Sequence, residues 1–527
     1  MRLFEREAEE GNVEFKLKLD KVDEARLEKL ATQMKYRLSE GLGEAFYEVG
    51  VADSGEPIGV TREELQVTIE NLRRAGLKIS AACKILRVQE RDGKFTAELL
   101  VRRSRNDGLP VMLTVPVLGN VDSGKSTTVG VLCSGELDDG NGLAMSKVAR
   151  YIHEIKTRRT SSVVTRVLGF ADDGRIVNYD IPSPLNEAEV FLNSSKIVTF
   201  VDVGGHERYL RTTLKGIMGH PPDYSMLVVG ANAGVIGTCK EHLGIAVSLK
   251  LPVFVVVTKA DMVSDILLER VLKDIERLLK MPAVGKIPIL VRDLDDVVIA
   301  AKNMPCGRVS PVFVLSNKTG DGLGLLEDFL NLLPPRTRWS DKFGAPLLMY
   351  VDEKFYVKGA GVIASGVPLQ GNVSVDERLQ IGPFGDGSFR VVRVKSIHVN
   401  RVSVDRAFAG QEACLALSNV EYNEIRKGMC LLGEKLPPKA TRSFEADITV
   451  LHHPTTIRAG YNAVVHLQTI RQTVRFERMS KPYIRSGDTA NVEMAFMFYP
   501  EYVRVGDWFI FREGRTRGIG VVRAVPS

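Results

Sequence analysis

The 527-residue sequence predicts an N-terminal α+β domain, an α/β domain on a parallel sheet, and two all-β barrels. Three observations carry that expectation. Helical and strand patterns alternate over the first hundred residues. Short Val-rich runs, separated by longer amphipathic segments, then follow as far as Pro334-Pro335. Beyond that pair the chain becomes a series of short alternating segments punctuated by glycine. The length agrees, since domains average roughly 100–150 residues.

In the first domain Leu27, Leu30, Met34 and Leu38 recur at helical spacing, and Thr61-Arg62-Glu63-Glu64 is a capping box opening a second helix with Leu65, Ile69 and Leu72 on one face. Asp92-Gly93 separates two β-prone runs, 78–89 and 94–101, which marks a hairpin. Nothing in this domain shows reactive chemistry, and the polar stretch from Arg102 to Pro110 is expected to be a linker. The runs 111–118, 196–202, 224–230, 252–257 and 311–316 are apolar throughout, which suits strands covered on both faces of a parallel sheet. Gly359, Gly361, Gly366, Gly371 and Gly382 punctuate the β region, with a join at Pro437-Pro438. The expected domain limits are 1–110, 111–338, 339–437 and 438–527, with no internal repeat.

With 44% hydrophobic and 26% charged residues, the composition is that of an ordinary globular protein. No apolar stretch approaches the roughly 20 residues of a membrane span, and acidic residues stand where a signal peptide would be apolar, so the expected location is the cytoplasm, away from membranes. Cys83, Cys133, Cys239, Cys306, Cys414 and Cys430 form no Cys-x-x-Cys pair and are expected to be buried small hydrophobes. The net charge is +6, and residues 439–527 hold 13 Lys/Arg against 8 Asp/Glu, so most of the excess lies there. Such a module suits contact with a polyanion, or is a solvated basic face.

Four short motifs follow the Val-rich runs in order. Gly119-Asn120-Val121-Asp122-Ser123-Gly124-Lys125-Ser126, continuing into Thr127, has the pattern of a phosphate-binding loop between a strand and a helix. Glycines let the backbone wrap the phosphates, Lys125 brings charge to them, and Ser126 offers a hydroxyl to magnesium. Asp202-Val203-Gly204-Gly205-His206 ends a later strand, where Asp202 can hold magnesium through water and the Gly205 amide can meet a γ-phosphate. Thr258-Lys259-Ala260-Asp261 supplies a carboxylate that can accept both the N1 and exocyclic amino protons of guanine, a paired recognition that discriminates strongly. Ser316-Asn317-Lys318 adds contacts to the base oxygen. Together they predict an α/β P-loop GTPase domain binding GTP or GDP.

These motifs, with the long stretch between the first two, resemble those of translational GTPases. Gly359 to Gly371, Lys395-Ser396-Ile397-His398 and Ala409-Gly410-Gln411 are similar to the second-domain barrel of elongation factors, and His453-Pro454 through Tyr461 and Arg512 through Gly520 to the third domain of elongation factor 1-alpha. Arg159 to Val163, Gly204 to Leu210 and His452-His453 resemble the GTP-binding protein 1 and 2 family. The resemblance implies GTP hydrolysis, binding of aminoacyl-tRNA and the ribosome, a link to RNA-decay machinery in the eukaryotic members, and a monomer. It would make Ser126 and Thr160 the Mg2+ ligands, His206 the catalytic residue that positions water, and Asp122 the neighbour of a monovalent cation. His453, Arg512, Arg515 and Thr516 would contact tRNA. Two departures stand out: Arg159 occupies the place of an apolar gate residue, and Thr258 that of the usual Asn, which weakens one contact to the base. Three readings remain open: a tRNA-delivering translational GTPase, an RNA-surveillance adaptor, and a metabolic GTPase subunit like the regulatory partner in sulfate activation.

Overall fold

The computed structural model describes residues 11–105, 109–149, 151, 153–154, 163–203, 221–514 and 516–526. The α+β and α/β domains, as far as Thr337, lie in one compact unit, and residues from Arg338 onward lie in a second.

The first domain runs β1 (Val13–Lys16), α1 (Glu24–Glu40), β2 (Glu44–Val49), α2 (Arg62–Lys78), β3 (Ala81–Arg91) and β4 (Lys94–Arg103), with sheet order β1-β2-β4-β3. Only β1 and β2 run parallel. The Asp23 carboxylate accepts the Arg26 amide at 2.8 Å at the start of α1. At α2 the capping box closes in both directions, Glu64 N–H to Thr61 Oγ1 at 3.2 Å and Thr61 N–H to Glu64 Oε2 at 2.9 Å. Asp92 and Gly93 both take positive φ, 52° and 74°, as a two-residue hairpin loop requires.

Strand alternation gives this sheet two buried faces. Ala45, Tyr47, Val49, Leu99 and Val101 pack with Leu30, Met34, Leu65 and Leu72 of the two helices. Residues 44, 46, 48, 98, 100 and 102 point the other way, and Phe46 and Leu100 join the core of the α/β domain. The expected linker therefore begins inside β4: Arg102 is fully buried. Its Nε donates to Glu44 Oε1 at 2.8 Å, Nη1 to Ala171 O at 3.0 Å, and Nη2 to the main-chain and side-chain oxygens of Asn331 at 2.8 and 2.7 Å. Lys196, also fully buried, donates to both Glu44 oxygens at 3.1 Å and to Asn331 O and Leu333 O at 2.6 Å. Beside them Lys302 pairs with Glu48 and Glu98 and lies over the Phe46 ring.

The α/β sheet comprises β5 (Val111–Gly119), β6 (Val164–Phe170), β7 (Lys196–Asp202), β8 (Ser225–Gly230), β9 (Val253–Thr258), β10 (Ile287–Leu290) and β11 (Val309–Val314), in the order β10-β11-β9-β8-β5-β7-β6. Every residue of β8 and β9 is buried, as strands covered on both faces require. The sheet is not wholly parallel. β6 runs antiparallel to β7 at the edge, and its mixed sequence Val164-Thr165-Arg166 carries no continuous apolar run. β10 was also missed: it is short and half-exposed. The parallel strands point their carboxyl ends to one edge, where ligands of open α/β sheets bind.

In the second unit, residues 348–433 form a nine-stranded antiparallel sheet with an additional two-stranded ladder, and six strands between Ser443 and Ala524 close into a barrel. Cys133, Cys239 and Cys430 are buried as expected, whereas Cys306 is exposed on the turn after Met304-Pro305. Among the described residues no helix is long and apolar enough to cross a membrane.

Candidate nucleotide site

β5 delivers the phosphate-loop sequence to the carboxyl edge. A Cβ on Gly119 would meet Val228 O at 2.2 Å, so only glycine allows the strand to pass β8 and turn. Asp122 and Gly124 take φ of 57° and 87°, and Ser123 Oγ donates back to Asn120 O at 2.9 Å. The helix Lys125–Ser134, α3, starts at once, with Val121 and Thr127 half-buried around the turn.

Lys125 is buried, and its ammonium donates to Asn120 O at 2.6 Å. Burial lowers its pKa to about 8 against the attraction of Asp202 and Asp122. Asp202, the last residue of β7, accepts Ser126 Oγ–H on Oδ2 at 2.5 Å, while its Oδ1 is buried with no hydrogen-bond partner among the described residues. Burial pushes this carboxyl up to about 6, opposed by Lys125 and the Ser126 hydroxyl. A hydroxyl beside an unpartnered carboxylate oxygen is a hard donor pair that fits Mg2+. The helix N-terminus and Lys125 together fit a phosphate.

β9 ends at Thr258, whose hydroxyl donates to Ser123 O at 2.6 Å and ties this strand to the phosphate loop. Lys259 then adopts φ 60°, and a short 3₁₀ turn, Ala260–Met262, leaves the Asp261 carboxylate exposed. After β11, Ser316 Oγ accepts the Lys318 and Thr319 amides at 3.2 and 3.1 Å. Asn317 donates to Thr128 Oγ1 at 2.9 Å, and its buried Oδ1 has no hydrogen-bond partner among the described residues. The loops after β5, β9 and β11 are thereby bonded to one another, directly or through α3. Thr160, Gly205 and His206 lie outside the described residues.

Sequence reasoning missed His242. From the helix Gly237–Ser248 its Nδ1 accepts the Gly119 amide at 2.9 Å, holding the entry of the phosphate loop from below. A histidine inside an amphipathic helix carries no local signal for such a contact.

In the barrel, Thr516 is 2% exposed and its hydroxyl is hydrogen-bonded to His453 Nδ1 at 2.6 Å and by Tyr461 OH at 2.9 Å. Thr516 therefore fixes the His453 and Tyr461 rings from inside. Arg512 stands opposite Val464 and Arg517, and Arg517 opposite His452, giving a cross-strand row with three cationic or cation-forming side chains. Arg515 lies outside the described residues.

Comparison with known proteins matches this architecture piece by piece. Residues 111–335 match the elongation factor Tu GTP binding domain, 361–432 its domain 2 and 437–526 its C-terminal domain. The bacterial selenocysteine-specific elongation factor EF-Sec superposes with a TM-score of 0.57 at 20% identity, over 78% of this chain and 58% of that one. Fold and site thus define a translational GTPase. GTP-binding protein 1 of Xenopus laevis is 42% identical over 495 residues, covering 94% of this chain and 75% of that protein. Human GTP-binding protein 2 is 41% identical over 531 residues, 99% of this chain and 88% of that protein. The chain belongs to the GTP-binding protein 1/2 family and is a GTPase.

Proposed function

We propose that this GTPase is a translational switch that binds aminoacyl-tRNA and the ribosome in its GTP state and releases the RNA after hydrolysis. The observation that carries the switch is the cluster of Lys125, Ser126 and Asp202, in which, among the described residues, a buried cation has one acceptor and a buried carboxylate oxygen has no donor. GTP phosphates would lie against the loop Asn120 to Thr127 and Gly205, with Lys125 balancing their charge. Asp261 would accept the guanine N1 and amino protons, Lys259 would lie along the base, and Ser316, Asn317 and Lys318 would border its oxygen. Ser126 and Thr160 would hold Mg2+ directly and Asp202 through water. When bound, the ion offsets charge developing on the phosphate oxygens. His206 would hold the attacking water, and Asp122 would border a monovalent cation. The sequence offers no assignable arginine finger, and activation in trans is worth about 10³–10⁵ in rate, so hydrolysis would be slow without the ribosome.

The RNA surface is the barrel row Arg512, Arg517 and His452 with His453, whose ring the buried Thr516 holds from inside; Arg515, next to Thr516 in sequence, would add a phosphate contact. Clustered cations of this kind bind phosphates by releasing counterions, so affinity falls with salt by about 0.9 log unit per contact on duplex nucleic acid. The domain limits 1–110, 111–338, 339–437 and 438–527 and a cytoplasmic, monomeric protein complete the reading. A filter-binding salt titration with aminoacyl-tRNA tests it. Tighter binding with a GTP analogue than with GDP, and a slope about one unit shallower for Arg515→Ala, are expected. Equal affinity in both nucleotide states refutes delivery and favours an adaptor that works with RNA-decay machinery.

A further inference from the structure

We propose that this protein recognises guanine without reading its N7, because Thr258 has committed its only proton to the phosphate loop. The inference rests on Asp261 and its neighbours being the base-recognition loop, and goes beyond it to the atom of the base that the site ignores.

A threonine hydroxyl has one proton and two lone pairs. Thr258 is fully buried, and that proton points at Ser123 O, 2.6 Å away. Toward the nucleotide the side chain can offer only a methyl group or acceptor lone pairs. Guanine N7 is itself an acceptor, so no hydrogen bond forms between them. An asparagine at the same position, as elongation factors carry, has two amide protons and could serve both the loop carbonyl and N7.

The polar side chains of the neighbouring loops are each held by another partner. The Asn317 amide gives one of its two protons to Thr128 Oγ1, which holds the side chain on α3, and its Oδ1 can only accept. Ser316 is buried, with its oxygen turned to the amides of its own loop. The Lys125 ammonium is turned to Asn120 O. Discrimination for guanine then falls on the N1 and amino edge that Asp261 can accept, and guanine nucleotides altered at N7 should bind as GTP does. Thr258 is in this sense a specificity-determining residue: it keeps the tie between the two loops and gives up one contact to the base.

The experiment displaces a fluorescent GDP analogue with GTP or 7-deaza-GTP, in which N7 is replaced by C–H. Wild type should bind the two within twofold. Thr258→Asn should gain affinity for GTP and not for 7-deaza-GTP, separating them about fivefold or more, as one net hydrogen bond would. Thr258→Val, which breaks the tie to Ser123, should weaken both nucleotides equally. A tenfold preference of wild type for GTP overturns the inference, and that comparison decides even if Thr258→Asn does not fold. Equal binding of both nucleotides to a folded Thr258→Asn overturns the assignment to Thr258. Asp261→Asn is the separate control: a shift of preference toward xanthosine triphosphate upholds the base loop, and an unchanged preference for GTP shows that the underlying reading has failed.

Discussion

Strand β7 carries a buried charge at each end, and the two ends have opposite fates. Lys196 opens the strand and Asp202 closes it. At the opening end every nitrogen has an acceptor: Lys196 and Arg102 reach Glu44, Asn331, Leu333 and Ala171, all within the protein. At the closing end, among the described residues, Asp202 keeps an oxygen with no partner and Lys125 meets one carbonyl. Burying charge without partners costs several kcal/mol or more. A buried charge with a full set of protein partners is therefore scaffold, and one with a vacancy is a site held ready for a ligand. The first end fastens the N-terminal domain to the α/β domain; the second has the donors and acceptors a nucleotide and a metal require.

The largest effect should come from breaking the scaffold end. Arg102→Ala takes the donor from Asn331 Oδ1 and leaves Glu44 with one cation, and removing one member of a buried ionic cluster typically costs about 3–5 kcal/mol. Urea denaturation should show a loss of that size, and a loss under about 1 kcal/mol would mean that water reaches the seam. Lys125→Ala should act in the opposite sense. It deletes a buried ammonium whose one hydrogen-bond acceptor among the described residues is Asn120 O, so the nucleotide-free melting temperature should hold or rise, while GTP affinity falls by at least about 100-fold, worth roughly 2.7 kcal/mol. Equal damage to stability by both substitutions would erase the distinction.

A smaller test uses pH. Burial lowers the Lys196 pKa to about 8, further depressed by Arg102 and countered by Glu44. The unfolded chain keeps that proton to about 10.4. Between these values the unfolded state binds more protons, so stability rises with pH, by up to about 1.4 kcal/mol per unit, and below pH 8 the contribution is flat. Lys196→Met should lack that rise. The difference between the two proteins, measured from pH 7 to 10, isolates it from other titrating groups. A difference that falls over this range would mean that the lysine titrates above its unfolded value.

The nucleotide end was largely legible in the sequence because its signals are local: glycines, a lysine and a hydroxyl within eight positions at the end of an apolar run. The seam was not. Glu44 and Glu48, like Glu98 and Arg102, are single charges flanking apolar runs, a pattern that suits the solvent-facing ends of strands, and Arg102 opens the polar stretch that reaches Pro110. Their burial depends on Lys196, Lys302 and Asn331, which lie 135 to 254 residues away from their partners along the chain. No window of sequence holds both halves of such a pair. Edge strand β6 escaped for a related reason, since its identity comes from pairing with β7 more than from its own pattern.

The smallest expected effect sits at the rim of the same seam and shows how quickly the argument from burial fades. Arg87 Nη1 reaches Asp295 Oδ1 at 3.2 Å and Gln89 donates to its Oδ2 at 3.3 Å, but the Asp295 side chain is 51% exposed. Arg87 also keeps a bond from Nε to the buried Glu98 at 2.9 Å, so losing Asp295 strands nothing. Exposed pairs contribute about 0–1 kcal/mol and are screened by salt over about 3 Å at 1 M. Asp295→Asn preserves the shape and one of the two acceptor contacts, so it should cost about 0.5 kcal/mol in dilute buffer and nothing measurable at 1 M salt. Arg102→Ala should lose about the same stability at either ionic strength, because its partners are out of reach of ions. If the rim substitution were as costly as the buried one and equally indifferent to salt, exposure would have no bearing on which charges hold the two domains together.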